Sequence, residues 1–160
     1  MKSENNSEPT KIKILYIDDE VNNLNVFKAA FRREYDITLC GSPLEAFEVL
    51  KTKEFEVIIT DQRMPEMNGT DFLAAILKTH PEPMRILLTG YSDIEAVIDA
   101  INKGEVYRYV TKPWLENELR GVISSAFEVY SLRRENKILT QSLLQANEQL
   151  EFMLRQKLLS

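Results

Sequence analysis

The chain has 160 residues, of which 44% are hydrophobic and 28% charged, and carries a net charge of −5. That length suits one globular domain plus an appendage and is too short for two full domains. The acidic balance argues against a nucleic-acid surface, which needs concentrated Lys and Arg. No apolar run is long enough to span a bilayer, and the start lacks the pattern of a secretion signal. The expected location is therefore cytoplasmic, with no membrane and no direct nucleic-acid partner. Cys40 and His80 are the only residues of their kinds. Intrachain disulfides, Cys-based zinc sites, His-clustered metals and most acyl-transfer triads are thereby removed. Carboxylate chemistry remains.

Residues Met1 to Thr10 are polar and read as a disordered tail. Short apolar runs and helical patterns then alternate five times. Lys13–Asp18 is followed by a helical stretch from Val21 to about Arg33. Asp36–Cys40 stops at Gly41, and Ser42, Pro43 and Glu45 open a helix as N-cap, first-turn Pro and capping-box acid. Val57–Asp61 precedes a loop containing Pro65 and Gly69 and a helix from Thr70 to about Thr79. Arg85–Thr89 ends at Gly90. Ser92 to Glu95 repeats the capping pattern before a helix whose Ile94, Val97, Ile98 and Ile101 share a face. Val106–Val110 alternates like an edge strand, and from Leu115 onward the pattern is helical.

Strands separated by helices imply a parallel sheet covered on both faces, with function at the carboxyl ends of its strands. Those ends carry Asp18 and Asp19, Asp61, Thr89, and Thr111 with Lys112. Carboxylates so gathered repel by roughly 4 kcal/mol per pair at 4 Å and a dielectric of 20, so they share protons or hold a hard cation. Mg²⁺ (or Mn²⁺) suits oxygen ligands that also meet phosphate. Lys112 supplies a point charge for Asp61 or a phosphoryl oxygen, and Thr89 a hydroxyl. A carboxylate nucleophile, a metal and a lysine form a site for phosphoryl transfer. Singly, each residue has an ordinary reading: a helix-start acid, a loop Asx residue, a solvated turn lysine, a strand-end threonine. Jointly they occupy four of five strand ends, and the ordinary readings become improbable.

These residues carry a family resemblance across about Ile12 to Glu128. The chain resembles the receiver domain of bacterial two-component response regulators in Ile17–Glu20, Thr60–Gly69, Leu88–Gly90 and Tyr109–Pro113. The resemblance implies an α/β fold, a doubly wound five-stranded parallel sheet of flavodoxin-like order 2-1-3-4-5. It implies that Asp61 accepts a phosphoryl group from a sensor histidine kinase or phosphotransfer protein, in a self-phosphorylating switch rather than an enzyme with turnover. It further implies Mg²⁺ held by Asp19, Asp61, the Arg63 backbone carbonyl and, through water, Asp18; Lys112 bridging to the phosphoryl group; a cis Lys112–Pro113 bond; and Thr89 and Tyr109 as the switch pair. Arg63 and Tyr91 depart from the commonest family pattern. Both would flank the path of attacking water, and Tyr91 is expected to slow hydrolysis of the phosphoaspartate, with faster decay in Tyr91→Ala.

Beyond Ala126 an apolar seam continues. Val129, Asn136, Leu143, Leu150 and Lys157 fall at heptad position a, and Leu132, Leu139, Ala146 and Met153 at d; seven of these nine are apolar. Asn136 at an a position favours a parallel, in-register homodimer. A stutter is expected near Leu154 and Leu158. The division expected is thus a tail over residues 1–11, a receiver over 12–128 and a coiled-coil helix over 129–160. Either the chain works as a dimeric adaptor or an output domain follows it; Lys112, Pro113 and Trp114 with a long helix resemble regulators whose outputs make or degrade cyclic dinucleotides, or act as phosphatases. Two other classes compete. A haloacid-dehalogenase-like phosphatase would place Asp-x-Asp on the first strand, where this chain has adjacent Asp18 and Asp19. A flavodoxin-like cofactor carrier would need a Gly- and hydroxyl-rich loop where Asp18, Asp19 and Glu20 would repel phosphate.

Overall fold

A computed structural model describes residues 9–160; most of the expected tail lies outside the described residues. Five parallel strands, β1 (Ile12–Ile17), β2 (Tyr35–Cys40), β3 (Val57–Asp61), β4 (Met84–Thr89) and β5 (Arg108–Thr111), form one sheet. Its order is β2-β1-β3-β4-β5, the flavodoxin-like arrangement expected. Five helices cover it: α1 (Val21–Phe31), α2 (Pro43–Leu50), α3 (Gly69–Thr79), α4 (Ile94–Asn102) and α5 (Glu116–Leu159). Among the described residues no helix is long and apolar enough to cross a membrane.

Successive side chains of a strand point to opposite faces, so β1 feeds two cores. Ile14 and Tyr16 join Phe27 and Phe31 of α1 and Leu119, Ile123 and Ala126 of α5. Leu15 and Ile17 join Ala46 of α2, Phe72 and Ile76 of α3, and Val97 of α4. Covering on both faces explains why β3 and β4 read as unbroken apolar runs and are buried at every position. The α2 start follows the capping chemistry of its sequence. Ser42 Oγ accepts from the Glu45 N–H at 3.1 Å, while Glu45 Oε2 accepts from the Gly41 N–H at 2.9 Å. Trp114 packs its ring 5.7 Å from Phe31 and tethers the loop after β5 to α1.

Three local expectations are corrected. The strand expected from Val106 begins at Arg108; Tyr107 donates its N–H to the Arg85 carbonyl just before the ladder starts. The apolar stripe of α4 is rotated: Val97 and Ala100 are buried while Ile98 is exposed. Ser92 does not cap that helix. Tyr91–Asp93 forms a 3-10 turn, the cap position falls on Asp93, and no side chain bonds the first-turn N–H groups. The side chain of Arg85 was unremarked in the sequence. It is buried, and its guanidinium donates to the carbonyls of Pro81, Pro83, Gly104 and Glu105, stitching the loops before β4 and β5 together.

Candidate functional site

The carboxyl ends of β1 and β3 lie side by side, and the turns that leave them decide which side chains meet. Asp18, one residue beyond β1, is fully buried and held by three donors. Tyr16 Oη donates to Oδ2 at 2.8 Å, the Glu20 N–H to Oδ1 at 3.0 Å and Asn23 Nδ2 to Oδ2 at 3.1 Å. Burial and the Asp18 charge push the Tyr16 phenol far above its ordinary value, so it stays a donor at neutral pH. Asp19 is exposed beside it. Asp61 ends β3 and is only 4% exposed. Oxygens of Asp18, Asp19 and Asp61 all lie within 4.8 Å of one another.

Lys112, half-buried after β5, pairs its ammonium with Asp61 Oδ1. The Lys112 N–H donates to the Thr89 carbonyl at 2.9 Å, and the Lys112–Pro113 peptide is cis. Burial raises the Asp61 carboxyl above its usual range; Lys112 opposes the shift and the Asp18 charge adds to it. Thr89 is fully buried, its hydroxyl donating to the Gly90 carbonyl at 3.2 Å. Tyr109 is half-buried against the core that contains Leu87, Val97 and Ala100.

The loop after Asp61 is fastened at its far end. Gly69 N–H donates to the Gln62 carbonyl at 2.8 Å, and Gln62 Oε1 accepts from the Thr70 N–H at 2.9 Å. Glu66 sits at φ 71°, a left-handed conformation at the loop tip. A Cβ on Gly69 would clash with the Asp61 carbonyl oxygen and stand 2.7 Å from Leu87 Cδ1. Gly69→Ala therefore displaces the backbone of Asp61 itself. A loss of about 1–3 kcal/mol in urea unfolding, the scale of overpacking, should accompany a weaker response to Mg²⁺; unchanged stability would contradict the contact.

Of the two residues expected beside the acceptor, Arg63 is committed elsewhere and Tyr91 is open to solvent. Arg63 turns away along the surface, Nε donating to Asp93 Oδ2 at 2.8 Å and Nη2 to Ser92 Oγ at 3.1 Å. Tyr91 is 74% exposed. This arrangement gives no support to shielding by Tyr91. Sequence reasoning also passed over Tyr16, Asn23 and Gln62, which hold the acids and the loop. Tyr16 and Asn23 carry a readable signal, being polar groups two residues before and five after Asp18.

Past the sheet, α5 runs on within a single helix of 44 residues, about 66 Å long. Val129 packs partly against the receiver's own core, so the free seam begins at Leu132. Leu132, Asn136, Leu139, Leu143, Ala146, Leu150 and Met153 are all exposed. Lys137 pairs with Glu82 at 3.0 Å where the helix passes the loop before β4.

A doubly wound sheet with acids and a lysine at its carboxyl edge defines a signal-receiver architecture. The sequence profile of the response regulator receiver domain matches residues 14–124, and the chain belongs to that family. Among curated relatives, the hydrogenase transcriptional regulatory protein HoxA of Bradyrhizobium diazoefficiens is 32% identical over 124 residues, 78% of this chain and 26% of that protein. The transcriptional regulatory protein ZraR of Escherichia coli K12 is 28% identical over 82% of this chain and 30% of its own. The chain thus spans about a quarter of the length of the curated relatives it matches. Among solved structures, one described as adenylate cyclase from Rhodopirellula baltica has a TM-score of 0.80 at 30% identity, covering 82% of this chain and 98% of that one. The signal receiver domain of an HD domain-containing protein from Pseudomonas fluorescens Pf-5 has a TM-score of 0.74 at 31% identity, covering 79% and 94%.

Proposed function

We propose that this receiver takes a phosphoryl group on Asp61 from a sensor histidine kinase or phosphotransfer protein and uses it to switch a dimeric α5. The observation that carries the reading is Asp61 itself, buried among Asp18 and Asp19 with the Lys112 ammonium on one of its oxygens. In the transfer a carboxylate oxygen of Asp61 attacks phosphorus, an acyl-phosphate bond forms, and the phosphorus–nitrogen bond of the donor imidazole breaks. Lys112 stays within reach of the new phosphoryl oxygens, and Thr89 offers them a hydroxyl. The three-carboxylate donor set fits a hard divalent cation; Asp19, Asp61, the Arg63 carbonyl and, through water, Asp18 would hold Mg²⁺. When bound, the metal neutralises charge that the acids and the phosphoryl group bring together.

Residues 12–128 form the receiver and 129–160 the coiled-coil segment in this reading. The exposed heptad row from Leu132 supports a parallel homodimer. Thr89 and Tyr109 are the proposed switch pair between the site and the face of α4, β5 and α5. The long helix then passes the change to an output domain or a partner, of the kind that the adenylate cyclase and HD-domain resemblances bring to mind.

Intact mass after incubation with acetyl phosphate tests this. One phosphoryl group should be added with Mg²⁺ and none with chelator, and hydroxylamine should discharge it as it does an acyl phosphate. An adduct that resists hydroxylamine, or one that forms equally without metal, would refute the reading.

A further inference from the structure

Asp18 enters the acid cluster with most of its bonding capacity already taken. A carboxylate has two oxygens and about four acceptor sites between them. Oδ2 receives two side-chain donors, Tyr16 Oη at 2.8 Å and Asn23 Nδ2 at 3.1 Å. Oδ1 receives one, the Glu20 N–H at 3.0 Å. The site left over lies on Oδ1, so Asp18 can meet a cation with one oxygen and cannot chelate it with both. Neither side-chain donor is loosely placed. The Asp18 N–H donates to the Cys40 carbonyl at 3.1 Å, which carries the ladder one residue past β1 and puts Tyr16 and Asp18 on one face. The buried Tyr16 ring lies 4.4 Å from Phe27, and Phe27 packs in turn on Phe31 at 5.0 Å and Trp114 at 6.3 Å. Asn23 stands on the first turn of α1, its amide also donating to Glu20 Oε2 at 3.3 Å.

We propose that Tyr16 and Asn23, by filling Oδ2 of Asp18, make the acid cluster select Mg²⁺ against Ca²⁺. This rests on the cluster of Asp18, Asp19 and Asp61 holding a divalent cation. The two ions ask different things of a carboxylate. Mg²⁺ requires near-octahedral geometry, keeps several waters and is content with one oxygen from each acid. Ca²⁺ gathers about six to eight oxygens and draws in part on carboxylates that give both. An Asp18 restricted to one oxygen therefore takes nothing from Mg²⁺, which it can still serve through water, and denies Ca²⁺ a ligand. Lys112 works in the same sense on the neighbouring acid, because its ammonium engages Oδ1 of Asp61. Tyr16 and Asn23 touch Asp18 alone among the three acids and are positioning residues for the site. The phenol is the stiffer of the two, since its place is set by the aromatic block beneath it.

Titrations of the full, unphosphorylated chain with Mg²⁺ and with Ca²⁺, followed by amide chemical shifts, read this selectivity without any phosphoryl transfer. Tyr16→Phe keeps the ring and its packing and deletes only the donor; Asn23→Ala deletes the other. Ca²⁺ should bind the double variant about tenfold more tightly than wild type, the scale on which the partners of a metal ligand act. Mg²⁺ affinity should change little, and each single variant should fall between wild type and the double. A role confined to holding Asp18 in place gives a different result, because both cations would then weaken together. An unchanged ratio of the two affinities, or a shift of the ratio toward Mg²⁺, overturns the proposal. If the double variant does not fold, Tyr16→Phe alone decides by the same ratio. Wild type that binds neither cation would defeat the cation site and the selectivity with it, whereas transfer to Asp61 is read separately, by mass.

Discussion

Asp61→Asn should abolish phosphorylation and, in metal-free buffer at neutral pH, make the protein more stable than wild type. The two effects share a cause. Three carboxylates within 4.8 Å repel by roughly 3 kcal/mol per charged pair at an effective dielectric of 20, and Lys112 offsets part of this. A net gain on the order of 1 kcal/mol is expected from the substitution. Its pH dependence has a definite sign. Burial raises the Asp61 carboxyl in the folded state, so the folded protein binds this proton more tightly than the unfolded chain. The stabilisation from protonating Asp61 is present below its unfolded value and is lost as pH rises through its folded value. The stability difference between Asp61→Asn and wild type should therefore grow between mildly acidic and neutral pH. Saturating Mg²⁺ should shrink or reverse it, because the bound cation turns the repulsion into ligation. A variant less stable than wild type at neutral pH without metal would show that the Lys112 pair outweighs the crowding.

The second large effect concerns the free helix. Leu139→Lys combined with Leu143→Lys should convert a dimer at micromolar concentration into a monomer by sedimentation equilibrium. Each buried Leu contributes about 1.5–3 kcal/mol. Two positions on two chains thus remove on the order of 6–12 kcal/mol before any charge repulsion is counted. Every 1.4 kcal/mol is tenfold in the dissociation constant, so no intermediate affinity is expected. Leu144 is exposed like its neighbours but falls off the a and d row. Leu144→Lys should leave the dimer intact. Equal dissociation by Leu144→Lys would mean general stickiness of the helix rather than a seam.

What the sequence made legible, and what it hid, divides along a physical line. A parallel sheet covered on both faces writes its strands as apolar runs and ends them where polar side chains emerge. Asp61 at the end of β3 and Lys112 after β5 could thus be brought together by pattern alone, and the structure has them paired. Capping by Ser42 was equally local, complete within four residues of chain. Ser92 carried the same local signal and does not cap, because Tyr91–Asp93 winds into a 3-10 turn that places Ser92 inside the turn and moves the cap position on to Asp93. The rotation of α4 that buries Ala100 and exposes Ile98 is likewise set by the neighbours it packs against, which a hydrophobic face cannot specify. Val129 fits the heptad by spacing, yet part of its surface belongs to the receiver's own core.

The most direct measurement reduces the acyl phosphate with borohydride after phosphorylation and maps the product by peptide mass spectrometry. Homoserine is expected at position 61 and nowhere else, formed only when acetyl phosphate and Mg²⁺ are both supplied. Modification at Asp18, Asp19 or any other carboxylate, or an unmodified chain that is folded and metal-loaded, would contradict it.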